Sequence, residues 1–153
     1  MMKKNYFRFV AILVVMAELL IGIAPVMAAD KTEFQCTETF VAILNPGTWS
    51  FPDGNVHIRG MIQLLREDAP DPRVVGDNTV VVNANWRPDG TGPLWGTWRL
   101  ETDEGGLWEG SWAGQVTEHS AWYNGVGDGI GLYAGMTMLV DMNFGVCQIR
   151  ILE

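Results

Sequence analysis

Lysine is scarce in this sequence, and positive charge is short overall. Ten basic residues stand against 18 acidic ones, and Lys31 is the only lysine after Lys4. A phosphate backbone is repelled by such a chain, so no nucleic acid is expected as a partner. Anionic lipid headgroups are disfavoured for the same reason. Histidine is nearly absent: the two present, His57 and His119, are far apart in sequence. Zinc sites recruit several His, Cys or carboxylate ligands at set spacings, so no metal site is expected. A Gly-x-Ser-x-Gly nucleophile elbow is missing, which leaves hydrolase chemistry without a motif. No cofactor motif appears either. Long helical periodicity is lacking beyond the first thirty or so residues, which argues against a helical fold.

What is present begins with an export pattern. Lys3, Lys4 and Arg8 form a positive start, an apolar run follows over residues 9–23 interrupted by Glu18, and Gly22 and Pro25 end any helix. Val26-Met27-Ala28 places small or apolar residues where a signal peptidase reads them. Residues 1–28 are therefore expected to be a cleaved signal peptide, with cleavage before Ala29, or else before Asp30. An uncleaved anchor is the weaker alternative, because a spanning helix needs ~20 apolar residues and this run is shorter and carries a carboxylate. The expected location is secreted or periplasmic, with no membrane contact after cleavage. Residues 29–153 form one expected domain. Removing the leader leaves seven basic and seventeen acidic residues, a net charge of −10.

Cys36 and Cys147 both survive cleavage. An even cysteine count in an exported chain favours a disulfide, two free thiols being the alternative. A Cys36–Cys147 bond would set the first and last strands side by side, as closure of a barrel requires.

The chain after the leader reads as short runs of Val, Ile, Thr and aromatics, punctuated by Gly, Pro, Asn and Asp. That pattern predicts an all-β fold, a closed antiparallel β-barrel of about eight strands. The expected strands cover residues 34–44, 55–65, 78–86, 94–101, 107–117, 120–124, 129–141 and 145–151. Alternation assigns the inward rows. In the first strand they are Phe34, Cys36, Glu38, Phe40 and Ala42. In the second they are Val56, Ile58, Gly60, Ile62 and Leu64, with His57, Arg59 and Gln63 outward. Val80, Val82, Ala84 and Trp86 follow, then Leu94, Trp98 and Leu100, then Trp108, Trp112 and Val116. Ile130, Leu132, Ala134, Met136, Met138 and Val140 form the seventh row, and Cys147, Ile149 and Ile151 the last.

Several runs carry a family likeness together. They are Gly47-Thr48-Trp49, Pro52-Asp53-Gly54 leading into His57-Ile58-Arg59-Gly60, Leu94-Trp95-Gly96-Thr97 and Gly106-Leu107-Trp108-Glu109-Gly110-Ser111-Trp112. The last is Gly127-Asp128-Gly129-Ile130-Gly131-Leu132-Tyr133-Ala134-Gly135-Met136. The set resembles bacterial exported members of the allene oxide cyclase barrel-like superfamily, which includes the plant dirigent proteins. The resemblance implies an eight-stranded antiparallel barrel with an apolar cavity. It implies a ring-closing or radical-guiding activity only for some members, and no catalytic residue transfers to this sequence. Gly47-Thr48-Trp49 also fits the opening of lipocalins, but their greater length and further motifs are missing.

Glu38 is the candidate polar residue of the interior. It is the one acid on an otherwise apolar row, and a buried carboxylate must be paired or hold its proton. Arg59 is its expected partner if the second strand is inverted; a bulge or a place at the barrel mouth would instead put Glu38 in water. Trp98, Trp108 and Trp112 are candidates to line a pocket for a flat apolar ligand, or to fill the core. Trp49, Trp95 and Trp122 are expected on the surface, where exposed aromatics can stack on sugars. The expected function is binding of a small apolar molecule. A cyclase or isomerase acting in the same cavity is the alternative, and a carbohydrate-binding or structural surface module comes third.

Overall fold

The computed structural model describes residues 30–143 and 146–153. The expected leader and the Ala28–Ala29 bond lie outside the described residues. Among the described residues there are nine strands: β1 (Lys31–Asn45), β2 (Thr48–Ser50), β3 (Val56–Asp68), β4 (Gly76–Trp86), β5 (Gly92–Thr102), β6 (Leu107–Val116), β7 (Ala121–Ile130), β8 (Thr137–Asn143) and β9 (Val146–Leu152). From β3 to β9 each strand pairs antiparallel with the next, and β1 closes the barrel by pairing with both β9 and β3. Eight strands thus form a closed barrel, and the short β2 lies outside it on β3.

Closure depends on how β1 changes partner. Residues 31–36 pair with β9, and residues 37–45 pair with β3. The change falls at Cys36, which stands directly opposite Cys147 with their Cα atoms 5.0 Å apart and their sulfurs joined. That separation is ordinary for a disulfide. The bond therefore fastens the seam where the first and last strands meet.

Connections β3–β4, β5–β6 and β7–β8 all emerge at one end of the barrel, as antiparallel order requires. That end is filled. The Trp108 ring is fully buried and stacks on Tyr133 with centroids 5.0 Å apart, and its Nε1 donates to the Arg73 carbonyl at 2.8 Å. Val74, from a short 3-10 turn at Pro72–Val74, is also fully buried, and the Tyr133 hydroxyl lies 3.0 Å from Thr102 Oγ1.

Several inward rows match the alternation read from sequence: Val80, Val82 and Ala84 on β4, Trp98 and Leu100 on β5, and Cys147, Ile149 and Ile151 on β9 are buried. Three expectations are corrected. In β3 the register shifts between Ile58 and Met61, so that Arg59 and Gly60 together oppose Asn83. Gly60 has φ +65°, a conformation open to glycine, and its N–H donates to Asn83 Oδ1 at 3.0 Å. One extra residue flips every later side chain to the other face. Met61, Gln63, Leu65 and Glu67 therefore point inward, and Ile62 and Leu64 point outward. In β1 a second shift between Phe40 and Ala42 ends the inward row at Phe40 and turns Ala42 away with its partner Leu64.

The third correction concerns residues 129–141, which are not one strand. The sixth expected strand instead extends to Ile130, and the chain then turns through Gly131 (φ +64°) and Gly135 (φ +94°) before β8 begins. Ile130 and Leu132 are consequently exposed. The glycines of β7 serve close approach. A Cβ at Gly127 or Gly110 would run into the Trp98 indole, and one at Gly129 into Tyr133. Trp98 thus lies flat across β6 and β7 only because those strands lack side chains there.

Candidate functional site

The inward faces enclose a cavity of about 460 Å³. Its wall is mostly apolar, with Phe40, Leu65, Val82, Trp98 and Met138 among its residues. The polar residues on it are few: Glu38, Gln63, Glu67, Asn78 and Tyr123, with the indole N–H of Trp86. Among the described residues, no Lys, Arg or His lines it.

Glu38 and Glu67 are register partners across the β1–β3 pair. Directly opposed residues share a face, with Cβ atoms ~5 Å apart. Both carboxyls therefore enter the cavity. Glu67 is only 4% exposed, and its Oε1 accepts from Asn78 Nδ2 at 2.8 Å. Its Oε2 and Asn78 Oδ1 are buried without a hydrogen-bond partner. Glu38 is half-buried, and its Oε2 accepts from the Tyr123 hydroxyl at 2.5 Å. Glu38, Leu94 and Tyr123 also border an adjoining depression walled by Thr37, Ser120 and Trp122, so Glu38 sits nearer the outside than Glu67.

The two acids perturb each other. Burial pushes the Glu67 carboxyl up to about 8, the negative charge of Glu38 adds to the rise, and the Asn78 hydrogen bond opposes it. Burial also raises Glu38, against the opposing effects of the Tyr123 hydrogen bond and the neighbouring Glu67 carboxyl. Tyr123 is raised by burial and then by the Glu38 carboxylate, so its phenol keeps its proton. Two carboxyls this close resist ionising together, so Glu67 still keeps its proton near neutral pH. Two titratable groups whose environments push their pKa values apart can act as an acid and a base.

The sequence-derived candidates separate in the structure. Glu38, Trp98 and Trp112 line the cavity together, and Trp112 packs edge-on against Tyr123 at 5.5 Å. Trp108 lies outside the cavity, in the plug at the barrel end. Arg59 is not the partner of Glu38. It is the first residue of the bulge, stays on the outer face, donates to the Ala84 carbonyl at 2.8 Å and lies over Trp95 at 5.2 Å. Trp49 and Trp122 are exposed, but they occupy the well-separated strands β2 and β7; Trp95 is half-buried.

Glu38 is not the only acid on the interior row. Glu67 was missed because parity counted from Val56 without a bulge ends the second strand before it. One signal was present: Arg59-Gly60 interrupts the alternation of an apolar strand, and an isolated glycine in a strand marks a bulge. Counting from Gly60 with one residue added turns Met61, Leu65 and Glu67 inward. Asn78 and Tyr123 carried no such mark.

No family model, no curated protein and no solved structure matches this chain.

Proposed function

We propose that the barrel is a ligand-binding protein that holds one small, largely apolar molecule in its cavity, with Glu38 as a polar contact. The observation that carries this reading is the cavity itself: space lined by apolar and aromatic side chains, with a few convergent polar groups at defined positions. Such a combination is the usual form of a small-molecule site. A core that merely filled a barrel would leave no such volume, because interiors pack to near-crystalline density. The test is a thermal-shift screen with apolar and aromatic compounds, repeated on Glu38→Gln. A stabilising compound whose effect shrinks in the variant supports the reading. A complete lack of stabilisers across the panel counts against it.

A second reading is favoured by one specific feature, the pair of facing carboxyls with a tyrosine hydroxyl bonded to one of them. In an apolar cavity that set can protonate one end of a substrate and accept a proton elsewhere, as an isomerase or cyclase requires. The resemblance of the sequence to allene oxide cyclase barrel-like proteins supports this reading too. In that case Glu38→Gln abolishes turnover while binding persists. Export of the chain is part of both readings; N-terminal sequencing of the protein from the export compartment should find Ala29 or Asp30 first, and Met1 would refute it.

A further inference from the structure

We infer that the molecule this cavity takes is a small organic monocation, an ammonium group on an apolar or aromatic body, with the ammonium held among Glu38, Glu67 and Asn78. The inference rests on the ligand-binding reading above and narrows it to a chemical class.

Charge is the first argument. Two carboxyls face each other within one apolar cavity, and together they can hold one proton between them. One negative charge then remains. No basic side chain lines the cavity among the described residues. Arg66, beside Glu67 in sequence, turns outward to Asp103 and Asp77, at 2.9 and 3.2 Å. A buried charge without a partner is unfavourable, and a single cation neutralises this one. The titratable groups on the cavity wall are Glu38 from β1, Glu67 from β3 and Tyr123 from β7; β4, β5, β6, β8 and β9 contribute none.

Hydrogen bonding is the second argument, and it is independent of the first. Asn78 is 7% exposed, yet its Oδ1 has no hydrogen-bond partner. Buried polar atoms are almost always paired, and an amide oxygen can only accept. The nearby donors are engaged: Tyr123 donates to Glu38, Asn78 donates to Glu67, and the proton the two carboxyls share lies between them. The unpaired donor on the wall, Trp86 Nε1, lies at the far end of β4, eight residues from Asn78. An ammonium brings three donors and no acceptor, which matches what this end of the cavity lacks. A carboxylate or phosphate brings only acceptors and meets two acids. Among the described residues no three His, Cys, Asp or Glu side chains come together to hold a metal ion. The indole faces of Trp98 and Trp112 suit the apolar body and attract a cation as well.

The test compares three compounds with one aromatic body: 1-naphthylmethylamine, 1-naphthalenemethanol and 1-naphthoate. Calorimetric titration of the folded, oxidised protein at pH 7 should show the amine binding at least about tenfold tighter than the alcohol, and the acid not at all. In the double variant Glu38→Gln/Glu67→Gln the amine should fall to the level of the alcohol, whose own affinity stays unchanged and reports an intact cavity. At pH 4, where both carboxyls hold protons, the amine should lose its advantage in the wild type as well. The inference is overturned if the alcohol equals the amine at pH 7. It is also overturned if the amine keeps its advantage in the double variant, which would assign the attraction to the acidic outer surface. Binding of the alcohol alone leaves the ligand-binding reading standing without this one. Binding of none of the three removes this inference, and the neutral apolar panel then decides the broader reading by itself.

Discussion

Glu38 and Glu67 stand directly opposite each other across the β1–β3 seam, and both enter an apolar cavity. An acid on the outer surface is solvated by water; these two cannot share their place without sharing a proton. The position of that pair makes the stability of the barrel depend on pH in an unusual direction.

In the folded protein Glu67 is raised from its ordinary value of 4.5 to about 8, so the native state holds a proton that the unfolded chain has released. Stability is therefore greatest at or below pH 4.5 as far as this group is concerned, falls as pH rises towards 8, and levels off above it. The loss is on the order of a few kcal/mol. Glu38 is shifted in the same direction. Asp71 and Asp103, held low by Arg73 and Arg66, act oppositely but only at pH below about 4. Urea midpoints measured from pH 5 to 9 should decline, and Glu67→Gln should flatten that decline and raise the midpoint at pH 8. An unchanged slope in the variant would show that Glu67 is not the group responsible.

Glycines at two positions should respond very differently to alanine. Gly60 needs its left-handed φ, but a Cβ there meets nothing within 4 Å, so Gly60→Ala should cost about 1–2 kcal/mol. At Gly127 the added Cβ meets the Trp98 ring and the Glu109 carbonyl, so Gly127→Ala should cost ~3 kcal/mol or more by overpacking. Denaturant unfolding of both variants checks the order, and near-ultraviolet circular dichroism should change only in the second. Equal losses would mean that Trp98 does not lie on the β7 glycines.

Truncation of the tryptophans should separate plug from cavity wall. Trp108→Ala removes a fully buried ring stacked on Tyr133 and should cost about 3–5 kcal/mol. Trp98→Ala enlarges a space that already exists on one side of the ring, so its loss should be smaller, about 1–3 kcal/mol. Any ligand found in the thermal-shift screen should lose affinity in the Trp98 variant and keep it in whatever fraction of the Trp108 variant folds. The reverse pattern would place the ligand in the plug.

The disulfide closes a sequence separation of 111 residues. By the loop-entropy model, Cys36→Ser should cost about 4–5 kcal/mol, with smaller values common in practice. Non-reducing peptide mapping should recover Cys36 and Cys147 in one linked peptide, and two alkylatable thiols in the native protein would exclude the bond. Reduction should also loosen the seam where β1 passes from β9 to β3, seen as faster amide exchange at residues 31–36.

The all-β class, the cysteine pairing and the inward faces of β4, β5, β6 and β9 were legible in the sequence, because each depends on local alternation or on a count. Trp98 and Leu100 had to share a face with each other, and Arg99 and Glu101 had to oppose them, whatever the rest of the chain did. Glu38 was legible in the same way, as an acid in step with Cys36 and Phe40. Its partner was not. A side-chain period of two carries no memory across an inserted residue, so the bulge at Gly60 erased Glu67 from the expected interior and placed Ile62 and Leu64 there instead. The turn at Gly131–Gly135 hid in the same manner behind a run that alternates well enough to read as one strand. Tertiary structure alone decided that Glu67 meets Glu38, that Tyr123 reaches Glu38 from the other side of the barrel, and that a space remains between them. Each of those facts depends on which strands become neighbours and how the sheet closes, and pairing across a barrel is set by shear and register rather than by any residue's own preference.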